Sequence, residues 1–188
     1  MLLPDNPRII ASPAPVIVHI AAAAVFALVG AFQFSARLRR RHPNWHRRSG
    51  RMLVVAGLFV AGSGLWMTLF YPNAPGGDLL WTVRLLVASG TATSIVLGFL
   101  AIRRRDIPNH RAWMIRAYAL AAGAGTQLLT EGIVEGAFGK GDLSKALSMT
   151  SGWVINLAIA EWIIRRPARL RRRRAGSAQA RAVTVGSP

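Results

Sequence analysis

Two short stretches hold residue types that do chemistry, at matching spacing. Residues 39–47 read RRRHPNWHR and residues 103–111 read RRRDIPNHR. Each has three arginines, four intervening residues and a His-Arg pair, and the arginines and histidines of the two copies are offset by 64 positions. Imidazole exchanges a proton near neutral pH and ligates metals. Guanidinium binds carboxylate or phosphate through a planar fork of donors. The duplicated element therefore admits two chemistries. His46 and His110, brought to one depth on different helices, could ligate the iron of a single haem b, with Arg47, Arg51, Arg111 and Arg116 meeting its propionates. The same groups at two helix N-termini could instead hold an anion or a lipid headgroup. Haem iron is the one metal these residues suggest. The chain has no cysteine, which excludes a disulfide scaffold, a thiolate zinc site and a thiol nucleophile.

The elements that must position these groups follow from composition. Of 188 residues, 52% are hydrophobic and 16% charged, against about 25% charged in an ordinary soluble domain. Yet Lys+Arg is 24 against 7 Asp+Glu, a net charge of +17, and only Lys140 and Lys145 are lysine. That combination fits a membrane protein with its charge in short loops, and the apolar content excludes intrinsic disorder. A span needs roughly 20 apolar residues. Five segments qualify: Pro15–Phe34, Met52–Tyr71, Leu79–Ile102, Ala112–Ile133 and Ala146–Ile164. Their internal charges are Arg84, Arg116, Glu131 and Glu161. The predicted fold is all-α, a polytopic membrane protein with five transmembrane helices.

Ser35–Arg51 holds seven arginines, Arg103–Arg111 four, and the tail from Arg165 eight. The alternate loops have none, or lysines offset by acids. With five spans every basic segment falls on one side, and positive charge stays cytoplasmic. The expected topology is multi-pass in the inner (cytoplasmic) membrane, N-terminus outside and C-terminus in the cytoplasm. Residues 1–14 form an extracytoplasmic segment, 15–164 the membrane domain and 165–188 a basic disordered cytoplasmic tail. The first span has its positive charge after it rather than before it, so it is expected to stay uncleaved. Anionic headgroups are expected partners of the tail, at about 1 kcal/mol per basic residue near the surface. Nucleic acid is not an expected partner, since the tail has no aromatic or groove-reading motif.

Each copy of the repeat sits between an inbound and an outbound span, so the first four spans read as two same-orientation hairpins forming a four-helix bundle. Pro43 and Pro108 suit first helical turns. Small residues step along two faces, His46, Gly50, Val54, Gly57, Ala61 and Gly64 in one span and His110, Met114, Ala117, Ala121 and Ala124 in another, which lets helices approach and turns both histidines inward. His42, matched by Asp106, is read as a loop residue. Charges inside a membrane need partners. Counting residues from the basic loops gives His19, Arg84 and Glu131 one level far from those loops, with Arg84 and Glu131 expected to pair and a binding or proton site around His19. Arg116 and Glu161 share a level near the loops and are expected to pair, docking the fifth span. Trp153 and Trp162 are read as packing or interface residues.

Four stretches, GAFQFSARLRRRHPNWHRRSGR (30–51), AIRRRDIPNHRAWMIRAYAL (101–120), the lone His19 and NLAIAEWIIR (156–165), together resemble the bacterial integral-membrane family catalogued as domain of unknown function 2306. The resemblance runs over roughly residues 15–165. It maps the family pattern onto His19, Gln33, His46, Arg47, Gly50, Arg51, His110, Arg111, Trp113, Met114, Arg116, Tyr118 and Glu161. Two positions depart from it: Leu53 stands where the family has a tyrosine, and Gln127 where it often has an arginine. The resemblance implies fold and location, and brings no activity. The layout is also similar to four-helix transmembrane b-type cytochromes. Three functions stay open: an accessory or binding membrane subunit with a cytoplasmic-side His/Arg site, with or without a fixed protein partner, a single-haem redox protein, and an anion or lipid-headgroup binder or transporter. No hydrolase or transferase motif is present, which leaves open whether the protein is an enzyme.

Overall fold

The computed structural model describes residues 7–72 and 74–185, with side chains described over residues 9–72 and 74–166. Its elements are helices: α1 (Pro7–Ala11), α2 (Ala14–Gln33), α3 (Ala36–Arg41), α4 (Pro43–Phe70), α5 (Gly77–Arg103), α6 (Ile107–Ala121), α7 (Gly123–Phe138) and α8 (Asp142–Val185). Large apolar side chains lie on the outside, with Leu28 70% exposed, Leu86 68% and Leu128 76%. That is the inverse of a soluble protein, and it suits a surround as apolar as the residues themselves. α2, α4, α5 and Asp142–Arg166 of α8 are each long and apolar enough to cross a membrane.

Local chemistry sets the helix ends. Ser35 caps α3, its hydroxyl accepting from the Leu38 amide at 3.3 Å. Asp106 caps α6, accepting from the Asn109 amide at 3.1 Å. The side-chain amide of Asn109 donates to the same carboxylate at 2.6 Å. These two bonds hold the Asp106 carboxyl below the usual carboxylate range. Pro43 and Pro108 both lie in first turns, where the missing N–H costs nothing. Gly76 enters α5 with φ +98, and the fully buried Leu80 occupies the space a Cβ would need. Its amide donates to Asp142 at 2.9 Å, tying the α4–α5 connection to the start of α8.

The closest partners are α2 with α4, α5 with α6 and α4, and α7 with α8, while α8 also packs on α5 and α6. Phe26 of α2, Leu53 and Val60 of α4, Ile95 of α5 and Ala117 of α6 meet in one core. The small-residue faces are where this happens. A Cβ on Gly57 would strike Phe26 and Ile95, and one on Gly98 would strike Met114. The Tyr118 ring covers Gly30, stacks on Phe26 with centroids 6.0 Å apart, and its hydroxyl donates to the Ala27 carbonyl at 2.9 Å.

The fold corrects two expectations. The segment 112–133 is not one straight helix but the pair α6 and α7, joined at Ala122. The cause lies in the run AAGAG at 121–125: Gly123 leaves room for the Trp153 indole, which wedges against the backbone there. A short helix, α3, precedes α4 where a loop was expected. The backbone of α8 is helical to Val185, and the side chains beyond Arg166 lie outside the described residues.

Gly57→Leu should cost roughly 1–3 kcal/mol through overpacking, read as a lowered unfolding midpoint in detergent. Gly62→Leu, on a face with nothing within 4 Å, should cost far less. Equal losses would mean the packing face is misassigned.

Candidate functional site

The basic end of the molecule gathers the start of α4, the end of α5 and the start of α6. His46 and His110 are each the fourth residue of their helix, and both are half-buried. His110 Nδ1 lies 2.8 Å from the Gly98 carbonyl. A carbonyl only accepts, so Nδ1 holds the proton and Nε2 of the neutral ring is an acceptor. The bond is possible because Gly98, lacking a Cβ, lets α6 come close.

Arg47, Arg51 and Arg111 are exposed at this end, and none has a carboxylate partner among the described residues. Arg116 is different. Its Nε donates to Glu161 at 2.6 Å and its guanidinium lies 4.8 Å from the Trp113 ring centroid. Glu161 also accepts from Arg165 at 3.1 Å. Arg116 thus ties α6 to α8. Trp162 is 58% exposed and stacks under Arg166. Gln33 donates to Ser49 at 2.7 Å, fastening α2 to α4.

A hollow of about 290 Å³ lies on α3, lined by Phe32, Ser35, Arg37, Leu38, Arg41 and His42. Arg37 and Arg41 are four apart and so share one helix face. The sequence reading passed over this set. The signal was there in the spacing of two arginines beside Phe32 and Leu38, but it required α3 to be seen as a helix. His42, in the link between α3 and α4 as expected of a loop residue, lines it too.

At the opposite end the N-terminal segment meets the α4–α5 connection, with the Tyr71 hydroxyl donating to the Ser12 carbonyl at 2.6 Å. Between α2, α4, α5, α7 and α8 lies a cleft of about 440 Å³. His19 and Arg84 both line it. Glu131 does not join them. Its carboxylate bonds Lys145 of α8, so the expected Arg84–Glu131 pair is replaced by a Glu131–Lys145 pair. The reason is that α8 begins at Asp142, which brings Lys145 onto its first turn and against α7. Arg84 instead points one guanidinium nitrogen at Met149 Sδ, 3.8 Å away.

Around the α6–α7 junction the polar groups satisfy one another. Asn156 donates to the Ala119 carbonyl at 3.1 Å, in the last turn of α6 where carbonyls lack helical donors. It accepts from Thr126 at 2.8 Å. Gln127, standing where an arginine is common in the resembled family, is buried and donates to the Met149 carbonyl at 3.1 Å.

A charge reversal tests the α6–α8 tie. Arg116→Ala and Glu161→Ala should each lower the unfolding midpoint, and the double swap Arg116→Glu/Glu161→Arg should recover part of the loss, a coupling of about 1 kcal/mol. A swap worse than both singles would sink the pairing.

No curated protein and no solved structure matches the chain. Residues 16–164 match the family described as Predicted membrane protein (DUF2306), and the chain belongs to that family.

Proposed function

We propose that the chain is a five-span protein of the cytoplasmic membrane, with the bent α6–α7 pair as its fourth span, and that its basic end is a cytoplasmic site for anionic lipid headgroups. The two antiparallel pairs α2–α4 and α5–α6, each turning at an arginine-rich segment, support a bundle of two same-orientation hairpins. The observation that carries the headgroup reading is the hollow on α3. Its Arg37 and Arg41 suit a phosphate, His42 and Ser35 add polar rim, and Phe32 and Leu38 offer the apolar wall a lipid chain needs. Arg47, Arg51 and Arg111, which have no carboxylate partner among the described residues, extend the positive field over His46 and His110. An accessory role beside a membrane partner is compatible with this, since a lipid-anchored basic face also orients a subunit.

In phosphatidylglycerol nanodiscs the unfolding midpoint should exceed that in phosphatidylcholine, and the gain should shrink with salt. Arg37→Ala/Arg41→Ala should remove most of it. A gain that survives the double substitution would reject the hollow as the site. For topology, a fluorescent protein fused to the carboxyl end should glow and an alkaline phosphatase fused there should be silent; the reverse pattern would invert the orientation.

The haem b reading has one observation in its favour: His110 is held by Gly98 in the tautomer that leaves Nε2 for a ligand. The interior does not fit a porphyrin, however. Two turns inward from the histidines Leu53 and Ala117 are already in contact in the shared core with Phe26 and Ile95. Protein purified from haem-replete cells should therefore be colourless. A Soret band lost in His46→Ala or His110→Ala would restore the haem reading.

A further inference from the structure

The cleft at the end away from the arginines follows from the bend at Ala122. α7 packs on α8 and meets α6 at the junction, with no comparable packing on α2, α4 or α5. Swung aside in this way, α7 leaves a cleft of about 440 Å³, within the range of roughly 300–1,000 Å³ of small-molecule sites. Val16 and His19 of α2 line one flank, and Ala124 and Gln127 of α7 the other. Both helices expose apolar side chains to the surround, Ile20 beside His19 and Leu128 beside Gln127. α2 and α7 share no packed interface, so the cleft borders hydrocarbon at the gap between them.

Its depth is that of one leaflet. Along α4 the lining runs from Tyr71 to Val60, about 16 Å at 1.5 Å per residue, and half of a ~30 Å hydrocarbon core is about 15 Å. The floor is closed, because Val60 belongs to the packed core with Phe26 and Ile95. Gly64 lies against Ala88, so Arg84, one turn earlier on α5, is level with Thr68 and near the mouth at Tyr71. The deeper lining is apolar or small, with Val60, Ala61, Ala88, Leu120 and Ala121.

The polar side chains of the lining are already engaged. His19 is held by Ser63 Oγ at 2.9 Å and by the Val60 backbone. Arg84 is engaged within the chain, one nitrogen 3.8 Å from Met149 Sδ. Thr68 and Thr91 donate to carbonyls of their own helices at 2.8 and 2.7 Å, Tyr71 to Ser12 and Gln127 to Met149. Trp153 sets its Nε1 edge against Gly123. A trapped water needs roughly two to four polar partners, and a polar ligand needs unmet groups; side chains so engaged offer little to either. Hydrocarbon needs none, and it restores the dispersion contacts that a void forfeits.

We propose that this cleft binds one acyl chain of a membrane lipid, taken in sideways between α2 and α7 from the leaflet remote from the arginines, with its methyl end at Val60 and Leu120. The ester end of the chain then lies at the level of Tyr71, beside Thr68 and Arg84. This is a lipid contact separate from the headgroup hollow, and it rests on the five-span reading only for the bilayer around these helices.

The probe is phosphatidylcholine brominated near the methyl end of one acyl chain, in nanodiscs holding the full chain. Trp153 is the reporter, since it lines the cleft near its floor, and its signal is the fluorescence that Trp153→Phe removes. The methyl-end bromines should quench that signal strongly, and a lipid brominated beside the ester much less. Ala124→Leu, which fills the cleft from an exposed position, should lose most of this quenching while the other tryptophans stay quenched. Iodide in the aqueous phase should leave Trp153 unquenched. Arg37→Ala/Arg41→Ala should change none of this, so a failed headgroup hollow leaves the test intact. Full Trp153 quenching in Ala124→Leu would mean ordinary boundary lipid and would overturn the proposal. A Trp153 signal quenched by iodide and not by the brominated lipid would overturn it too, as a water-filled cleft, and that arm needs no cleft-filling variant to fold.

Discussion

A polar group that enters hydrocarbon must find its partner inside the protein, and that requirement organises this molecule. Lipid tails offer no hydrogen bonds, so an unmet donor or acceptor costs several kcal/mol where water would have satisfied it. The chain meets the demand at two scales. Hydroxyls bond back to carbonyls of their own helices, as Thr68 does to Gly64, Thr91 to Val87 and Ser63 to Phe59. These add no interhelical tie, and they let a polar residue sit in a packed face. Longer side chains reach across: Gln33 to Ser49, Asn156 to Ala119, Gln127 to Met149, Arg116 to Glu161. Each of the latter joins two helices, so satisfaction of polar groups and assembly of the fold are one event.

Close approach makes those bonds reachable. In lipid there is no hydrophobic drive between helices, and contact depends on shape. Glycines at 57, 64 and 98 remove the side chains that would hold α2, α4, α5 and α6 apart. The His110–Gly98 bond is a direct consequence, because the acceptor is a helix carbonyl that a bulkier neighbour would screen. The same glycine faces that pack the molecule near the basic end open the cleft at the other, where Gly64, Ala88 and Ala124 leave space that no described side chain fills.

Much of this was legible in the sequence, and the failures have a common cause. Counting residues from the arginine-rich turns gives depth along a helix at about 1.5 Å per residue. Depth was enough for Arg116 and Glu161, which lie on adjacent helices near a shared reference. It was not enough for Arg84 and Glu131. Two groups at one level still need the right rotation about their axes, and Glu131 lies on α7, beyond a junction at Ala122 that no proline announces. The glycines at 123 and 125 were the available signal, but their effect depends on Trp153 from a helix thirty residues on. Lys145 was assigned to a loop because it is charged; the helix it belongs to starts earlier, at Asp142, whose carboxylate accepts from the Gly76 amide. The hollow on α3 escaped because six residues carry too little periodicity to be seen as a helix.

The duplicated histidines make the last step. Their sequence contexts repeat, and each is the fourth residue of a helix that begins beside a proline. Their bonding does not repeat. His110 is pinned to a neighbouring helix through Gly98, whereas on the His46 side the Gln33–Ser49 bond performs the helix-joining role. The first copy also inserts α3, which the second lacks because α5 continues unbroken to Arg103. A symmetric pair of ligands would call for two matching environments and an open space between them. Here the histidine of one copy bonds a neighbouring helix, and that of the other makes no such bond among the described residues. Arginines flank both copies, Arg37 to Arg51 in the first and Arg103 to Arg111 in the second, whereas the hollow lies beside the first copy.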